Sequence, residues 1–440
     1  MRLLVLGLTV CIGCILPIIS PAQTSLSLSD AVRIGLEQNH DIKISILKAK
    51  SVGEAHVSEM QANRLPSLKL FATYTRLSDI GQTAISVPLP GIPPIAFTTY
   101  FPNNYSVKLS LLQPVFTGFR LLNLQHVAEH FSAAAEADVK TDQGKVIFAI
   151  KQQYWTLFKL QKTLEAIEKS LTESNAHLSD VRSKLADGTA LPSDTLKTQV
   201  QVSNNELRKI QTEKDIRVAM ASLMNTLGLP LDEKVILASA PEENIPPLKP
   251  LYDILKEASI NRSELTALDE RVEAAKANIK VMRSPLFPQV TVGGNLYYAN
   301  PNPRYFPAQD AFKTTWDASV NLSWELWTWN STGLQVEQAE YVAGQLEETK
   351  KQLEDAISLE VTQNYLTEQT SLEQIRVAKL SVTQTEENLR VIKMQYTKGV
   401  ATTTDVIGAE TLEQQAEVNL ATAIADANIV IAQLEKSVGK

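Results

Sequence analysis

From Arg120 to Ala186 the chain runs without a proline and with a single glycine, Gly144. Nothing there breaks an α-helix, and at 1.5 Å per residue an unbroken helix of that length is about 100 Å long. Its second half carries a heptad: Leu157, Leu160, Leu164, Ile167, Leu171, Leu178, Val181 and Leu185, with Ser174 in the one gap. Sustained spacings of three and four mean coiled-coil packing against neighbouring helices. A helix this long buries little within its own chain, so packing between subunits is expected.

The same design is written twice. Leu65-Pro66-Ser67-Leu68 resembles Phe287-Pro288-Gln289-Val290, and Asn39 resembles Asn261, both at an offset of 222. Further along the offset is 211: Tyr154 with Tyr365, Gly188 with Gly399, Asp194 with Asp405, Gly228 with Gly439. The difference of 11 residues falls between Pro66 and Pro114 and enlarges the loop 79–103. Part of the heptad recurs at Ile375, Ala378, Val382, Leu389, Ile392 and Tyr396, with Thr385 in the polar slot. The reading is an internal duplication, with repeat 1 over 23–230, a linker over 231–250 containing PEENIPPLKP, and repeat 2 over 251–440.

Each repeat reads as helix, strand, loop, strand, very long helix, turn, helix. In repeat 1 a helix over about 28–63 stops before Pro66, strands follow at about 67–76 and 103–114, and helices at about 120–186 and 192–228. Repeat 2 places strands at about 287–299 and 313–327 and helices at about 331–397 and 403–438. The strands alternate: Leu68, Leu70, Ala72 and Tyr74 share one face, and Tyr105, Val107, Leu109 and Leu111 oppose Ser106, Lys108 and Ser110. Trp316, Val320, Leu322 and Trp324 likewise oppose Asp317, Ser319, Asn321 and Ser323. Segments of about ten residues, apolar on one side only, fit a transmembrane β-barrel with a wet lumen. The tryptophans at 316, 324, 327 and 329 fit an interfacial aromatic belt. A soluble sandwich core uses the same alternation, but four isolated strands cannot build one around helices this long.

Residues 1–22 have the form of a secretory signal peptide, with Arg2, an apolar stretch and small residues ending at Ala22. Both cysteines, Cys11 and Cys14, lie inside it. Two other readings stand beside cleavage near Ala22. Lipoprotein processing at Cys14 is poorly served by Cys11-Ile12-Gly13, and Pro17 and Pro21 shorten any retained anchor. Beyond residue 20 no apolar run reaches the 18–20 residues of a membrane-spanning helix, which excludes a polytopic helical membrane protein but not a barrel. The net charge of −7 and pI of 5.5 argue against nucleic acid as a partner.

Enzyme signatures are scarce. His126-Val127-Ala128-Glu129-His130 matches an HxxEH zinc pattern, but the counterparts Glu337, Glu340 and Tyr341 could not repeat it, and a polar helical surface accounts for it. His40, His56 and His177 stand singly on helical stretches. No phosphate loop or GxSxG is present, so no catalytic, metal or cofactor site is assigned. The acidic residues read as solvated helical faces.

Nearly all of the mature chain resembles the TolC-like outer membrane efflux family, on the duplicated order and three local matches. Gln113-Pro114-Val115-Phe116-Thr117-Gly118-Phe119 resembles the strand-to-helix joint, with Pro114 and Gly118 permitting the bend. Repeat 2 has Trp324-Glu325-Leu326-Trp327-Thr328-Trp329-Asn330 there, with neither residue type, so a different bend is expected. The turns Gly188-Thr189-Ala190-Leu191-Pro192-Ser193-Asp194 and Gly399-Val400-Ala401-Thr402-Thr403-Thr404-Asp405 resemble the periplasmic tips that dock an adaptor; as plain chemistry they are helix caps. Asp405 and Tyr396 match positions that narrow the tip, and Asp194 one that holds it closed, while Gly408 and Ala401 depart from the family's second ring acid and tip arginine.

The resemblance implies a mainly α fold with four strands per subunit, a homotrimer closing a twelve-stranded barrel in outer membrane lipid, and an α-helical barrel across the periplasm. Its partners would be a periplasmic adaptor (membrane fusion) protein and an inner-membrane pump or ABC exporter. The expected function is a passive exit duct for efflux or type I secretion. A non-channel periplasmic coiled-coil scaffold is the rival, and it leaves the alternating strands unexplained.

Overall fold

The computed structural model describes residues 24–78, 84–87, 95–98, 100–233, 235–239, 241 and 248–440. The expected signal peptide with Cys11 and Cys14 lies outside the described residues, as do much of loop 79–103 and the centre of the linker. The chain is mostly helical, and two compact units can be separated. One comprises residues up to His40, 145–248 and 364–434; the other comprises 41–144, 249–363 and 435–440.

The first unit begins with strand β1 (Thr24–Leu26) and helix α1 (Leu28–Gln38). The expected single helix over 28–63 is in fact two, because α2 (His40–Arg64) starts afresh after Asn39. Asn39 holds an extended ψ of 133° and its side-chain amide donates to the Thr226 carbonyl at 2.8 Å. That bond to a distant residue stops the helix where local propensity would continue it. The chain runs on into the second unit through α2, strands β2 (Ser67–Arg76), β3 (Ala84–Val87), β4 (Ile95–Thr98) and β5 (Asn103–Thr117) and the first part of helix α3 (Arg120–Ala186), and the rest of α3 and helix α4 (Pro192–Leu227) belong to the first unit. Within the first unit α1 packs through Ala31 and Gly35, and a Cβ on Gly35 would stand 2.2 Å from Ile150 Cδ1. Ile150, Tyr154, Leu157, Leu223, Met224 and Leu227 have no exposed surface.

The linker is not a plain connector. Its residues Val235–Leu237 form strand β6, parallel to β1. The buried Tyr154 hydroxyl donates to Leu26 O at 3.1 Å and accepts from Ser239 N at 2.9 Å, so one side chain ties this ribbon to α3. The heptad gap at Ser174 is filled by hydrogen bonding. Asn205 Nδ2 on α4 donates to the hydroxyls of Ser170 and Ser174, each at 3.1 Å, and Ser174 is fully buried.

The second unit holds α5 (Leu251–Asn261), α6 (Ser263–Arg283), a single 3₁₀ turn, and strands β7 (Gln289–Asn300) and β8 (Lys313–Ser323). Helices α7 (Ser331–Thr397) and α8 (Thr403–Ser437) complete the chain. Arg262 interrupts α5 and α6, and its guanidinium bonds Glu264, Glu360 at 2.9 Å and the Ser437 carbonyl at 3.2 Å. The four long strands form one antiparallel sheet in the order β2-β5-β7-β8.

The register arranges side chains in tiers. Leu70, Leu109, Leu296 and Trp316 lie in one row on one face, and Leu68, Leu111, Gly294 and Ala318 in the next. This face is bare: Leu70, Trp316 and Val320 are 68%, 73% and 72% exposed. β8 ends at Ser323 rather than about 327, where Trp324 turns its Nε1 to the Leu286 carbonyl at 3.2 Å. β7 starts at Gln289 rather than 287 because the 3₁₀ turn Ser284–Leu286 and Pro288 precede it. β5 runs past 114 to Thr117 through a register shift between Pro114 and Phe116. Among the described residues no helix is long and apolar enough to cross a membrane.

Candidate functional site

The strand-to-helix joints carry the chain from the sheet into the long helices. Gly118 and Phe119 both take positive φ, 61° and 65°. A Cβ on Gly118 would lie 2.4 Å from the Ser284 carbonyl oxygen, so only glycine fits. Contrary to expectation, the second joint bends the same way. Trp329 and Asn330, at the offset of 211, have φ of 53° and 62°. Two successive left-handed residues make the bend in both places, although the second lacks Pro and Gly.

Each tip is a glycine-capped helix end followed by a helix start. Gly188 and Gly399 adopt φ of 74° and 71°, and Thr189 N and Val400 N donate back to the carbonyls of Lys184 and Gln395 at 2.8 and 3.0 Å. These are the left-handed caps expected where long helices stop. Nothing stands within 4 Å of a Cβ on either glycine, so the requirement is conformational. In the second tip Asp405 Oδ2 accepts from Thr402 N at 2.8 Å and from Thr402 Oγ1 at 2.7 Å, while Asp405 N donates to Thr402 Oγ1 at 3.3 Å. The backbone and side-chain bonds from Thr402 hold the exposed Asp405 carboxyl below its usual range. In the first tip Pro192 opens α4 and Asp194 accepts from Leu191 N at 3.4 Å, but leucine offers no return acceptor.

The structure brings Tyr396 onto α3. Its ring centroid lies 5.1 Å from the His177 imidazole and 3.6 Å from Lys184 Nζ. Burial holds His177 below its ordinary value, so the ring is neutral at physiological pH. Asp194 stands 3.7 Å from Lys197, whose Nζ donates to Thr404 Oγ1 at 3.3 Å. Leu196, Lys197, Val200, Gln201, Thr404 and Ile407 line a shallow groove of about 430 Å³ between α4 and α8.

Behind the tips lies a group that the sequence reading placed on solvated faces. Glu410 is 2% exposed, and among the described residues neither of its carboxylate oxygens has a hydrogen-bond partner. Burial, opposed by Lys393 and reinforced by Glu173 and Glu413, pushes its carboxyl up to about 7. Lys393 pairs with Glu173 at 3.0 Å, and Lys169 bonds Glu413 and Glu417 at 2.9 and 2.5 Å. The signal was present: Glu410, Glu413 and Gln414 share a helical face with the buried Val406, Ala409 and Ala416. The HxxEH pair is not drawn together; His130 is held by Glu270 at 2.7 Å and His126 lies 3.5 Å from Glu129.

Comparison with known proteins places this architecture. Residues 33–229 and 254–440 match the model of the outer membrane efflux protein family. A toxin and drug export protein A from Aggregatibacter actinomycetemcomitans is 22% identical over 180 residues, 40% of this chain and 39% of that protein. The aligned part thus spans about two fifths of that relative's length. The Campylobacter jejuni CmeC outer membrane channel shares the fold at a TM-score of 0.77 and 15% identity, covering 94% of this chain and 85% of that one. The Vibrio cholerae outer membrane protein VceC does so at 0.74 and 16%, covering 94% and 96%.

The fold is thus the one these outer membrane channels share. The chain belongs to the outer membrane efflux protein family.

Proposed function

We propose that this efflux channel is the passive exit duct of a tripartite efflux or type I secretion system, working as a homotrimer. The sheet carries this reading. Its apolar face is exposed over all four strands, with Tyr74, Tyr105 and Tyr298 at one end and Trp324, Trp327 and Trp329 at the other. From Lys313 to Ser323, at about 3.3 Å per residue and a tilt of about 40°, the strand rises about 25 Å, the height of an outer-membrane apolar band. Four strands leave two open edges, which lipid cannot satisfy. Three copies close them into twelve strands.

A second apolar stripe supports the trimer. Leu196, Val200, Leu207, Ile210 and Val218 follow one another along α4 and are 59–67% exposed, as an uncovered coiled-coil seam would be. The two halves, each with a left-handed joint, a glycine-capped tip and a broken first helix, read as copies of one unit. The tips 188–193 and 399–404 dock the periplasmic adaptor. Asp405, Tyr396 and Asp194 form the constriction, and an inner-membrane pump or ABC exporter supplies the energy.

Fractionation and planar-bilayer recording test the proposal together. Trimers in the outer membrane fraction that conduct ions are expected. A monomer in the soluble periplasmic fraction, as a scaffold would give, would reject it.

A further inference from the structure

The face of the sheet opposite the apolar one is built in the same tiers and is strongly basic. Along it Lys69, Ser110, Asn295 and Asp317 form one row, and Phe71, Lys108, Tyr297 and Thr315 the next. The first row is joined by hydrogen bonds, Ser110 to Asn295 at 2.8 Å and Asn295 to Asp317 at 2.7 Å. Asp317 is also paired with Arg304, which reaches in from the β7–β8 loop. The one acid of this face is therefore fully engaged.

The lysines are not neutralised. Among the described residues no carboxylate pairs with Lys69, Lys108 or Lys313. Lys108 is held between rings, its Nζ 5.9 Å from the Phe71 centroid and 5.5 Å from that of Tyr297. The Arg304 guanidinium lies 4.9 Å from the same Tyr297 ring. Aromatic faces attract a cation without cancelling its charge at a distance. Lys69 and Lys108 are diagonal cross-strand neighbours, a separation of about 7–8 Å, within the Debye length of about 8 Å at physiological salt. Two like charges so placed repel, and no local acid relieves them. Counting Lys69, Lys108, Lys313 and Arg304 against Asp317, each chain presents three excess positive charges here.

We propose that this face is an anion-selecting wall, in which Lys108 and Lys69 give the duct a preference for anionic solutes such as carboxylates, phosphates and sulfonates. This rests on the exit-duct reading, which makes the polar face the lumen. The mechanism is electrostatic focusing. A wetted pore backed by low-dielectric lipid concentrates the field of its lining charges, so anions are enriched and cations depleted along it. The rings fix Lys108 in place, which keeps its charge at the wall rather than folded onto a neighbouring acid.

The test is single-channel reversal potential of the purified full-length protein in planar bilayers under a tenfold KCl gradient. The wild type is expected to favour chloride over potassium. The double variant Lys69→Glu/Lys108→Glu is expected to reverse the sign of the potential. Lys108→Gln, which keeps a polar stem between the rings, is expected to move it part of the way. A wild-type preference for potassium, or a potential unchanged in both variants, overturns this inference and leaves the duct standing. Absence of any conductance overturns the duct reading and this inference with it.

Discussion

Replacing Glu410 by Gln makes the stability of the tip-proximal helices less sensitive to pH. The folded-state pKa of about 7 lies above the ordinary 4.5, mainly through burial. The native state therefore holds a proton that the open state releases between those values, and stability falls as pH rises through that window. It is fully present below 4.5 and lost as the folded carboxyl ionises around 7. At about 1.4 kcal/mol per unit, the full loss is about 3.5 kcal/mol, of which ~2.5 kcal/mol falls between pH 5 and pH 8. Glutamine has the same shape and no charge, so the variant escapes this loss. Glu413, Glu173, Lys393 and His177 are present in wild type and variant alike, so the comparison isolates position 410.

Hydrogen exchange of the α8 amides reads the difference, with variant and wild type compared at one pH so that intrinsic exchange rates cancel. The protection ratio of variant to wild type should grow about seventyfold between pH 5 and pH 8. A ratio that is the same at both pH values would refute the reasoning.

Four further outcomes follow from the same geometry. Gly118→Ala puts a Cβ against the Ser284 carbonyl at positive φ and should cost about 2–5 kcal/mol, seen as lower trimer yield and a lower unfolding midpoint. Tyr154→Phe leaves Leu26 O and Ser239 N without their partner and should cost about 1–3 kcal/mol by denaturant unfolding; an unchanged midpoint would mean that water replaces the hydroxyl. Ile210→Glu charges the exposed α4 stripe and should shift trimers to monomers on sizing columns without loss of helicity by circular dichroism. Asp405→Asn should relieve any block by multivalent cations applied from the tip side, and unaltered block would remove Asp405 from the constriction.

What could be read from the residues follows how local the physics is. Helix α3 was legible because nothing between 120 and 186 breaks it, and the sheet because alternation over ten residues has one reading. The tips were legible because a left-handed cap favours glycine. The break at Asn39 was not, since its cause is a bond to Thr226, 187 residues away. The ribbon of β1 and β6 was missed because three residues carry no period. The second joint was not legible because Trp329 adopts a left-handed conformation that its type rarely takes, held by the surrounding fold, and only Asn330, a type that tolerates that conformation, hints at it. Glu410 was hidden for a different reason: an acid in a helix is usually wet, and only its apolar neighbours one turn away argue otherwise.

The open space around Gly188 and Gly399 has an evolutionary consequence. Each turn is set by main-chain conformation and by bonds to carbonyls of its own helix, while the neighbouring Leu191 and Val400 stand 65% and 74% exposed. Mutations at those two flanks are therefore nearly neutral for folding. A lineage can vary them without first acquiring a compensating change in the core, so surface chemistry and stability can diverge at separate rates in the same seven-residue turn.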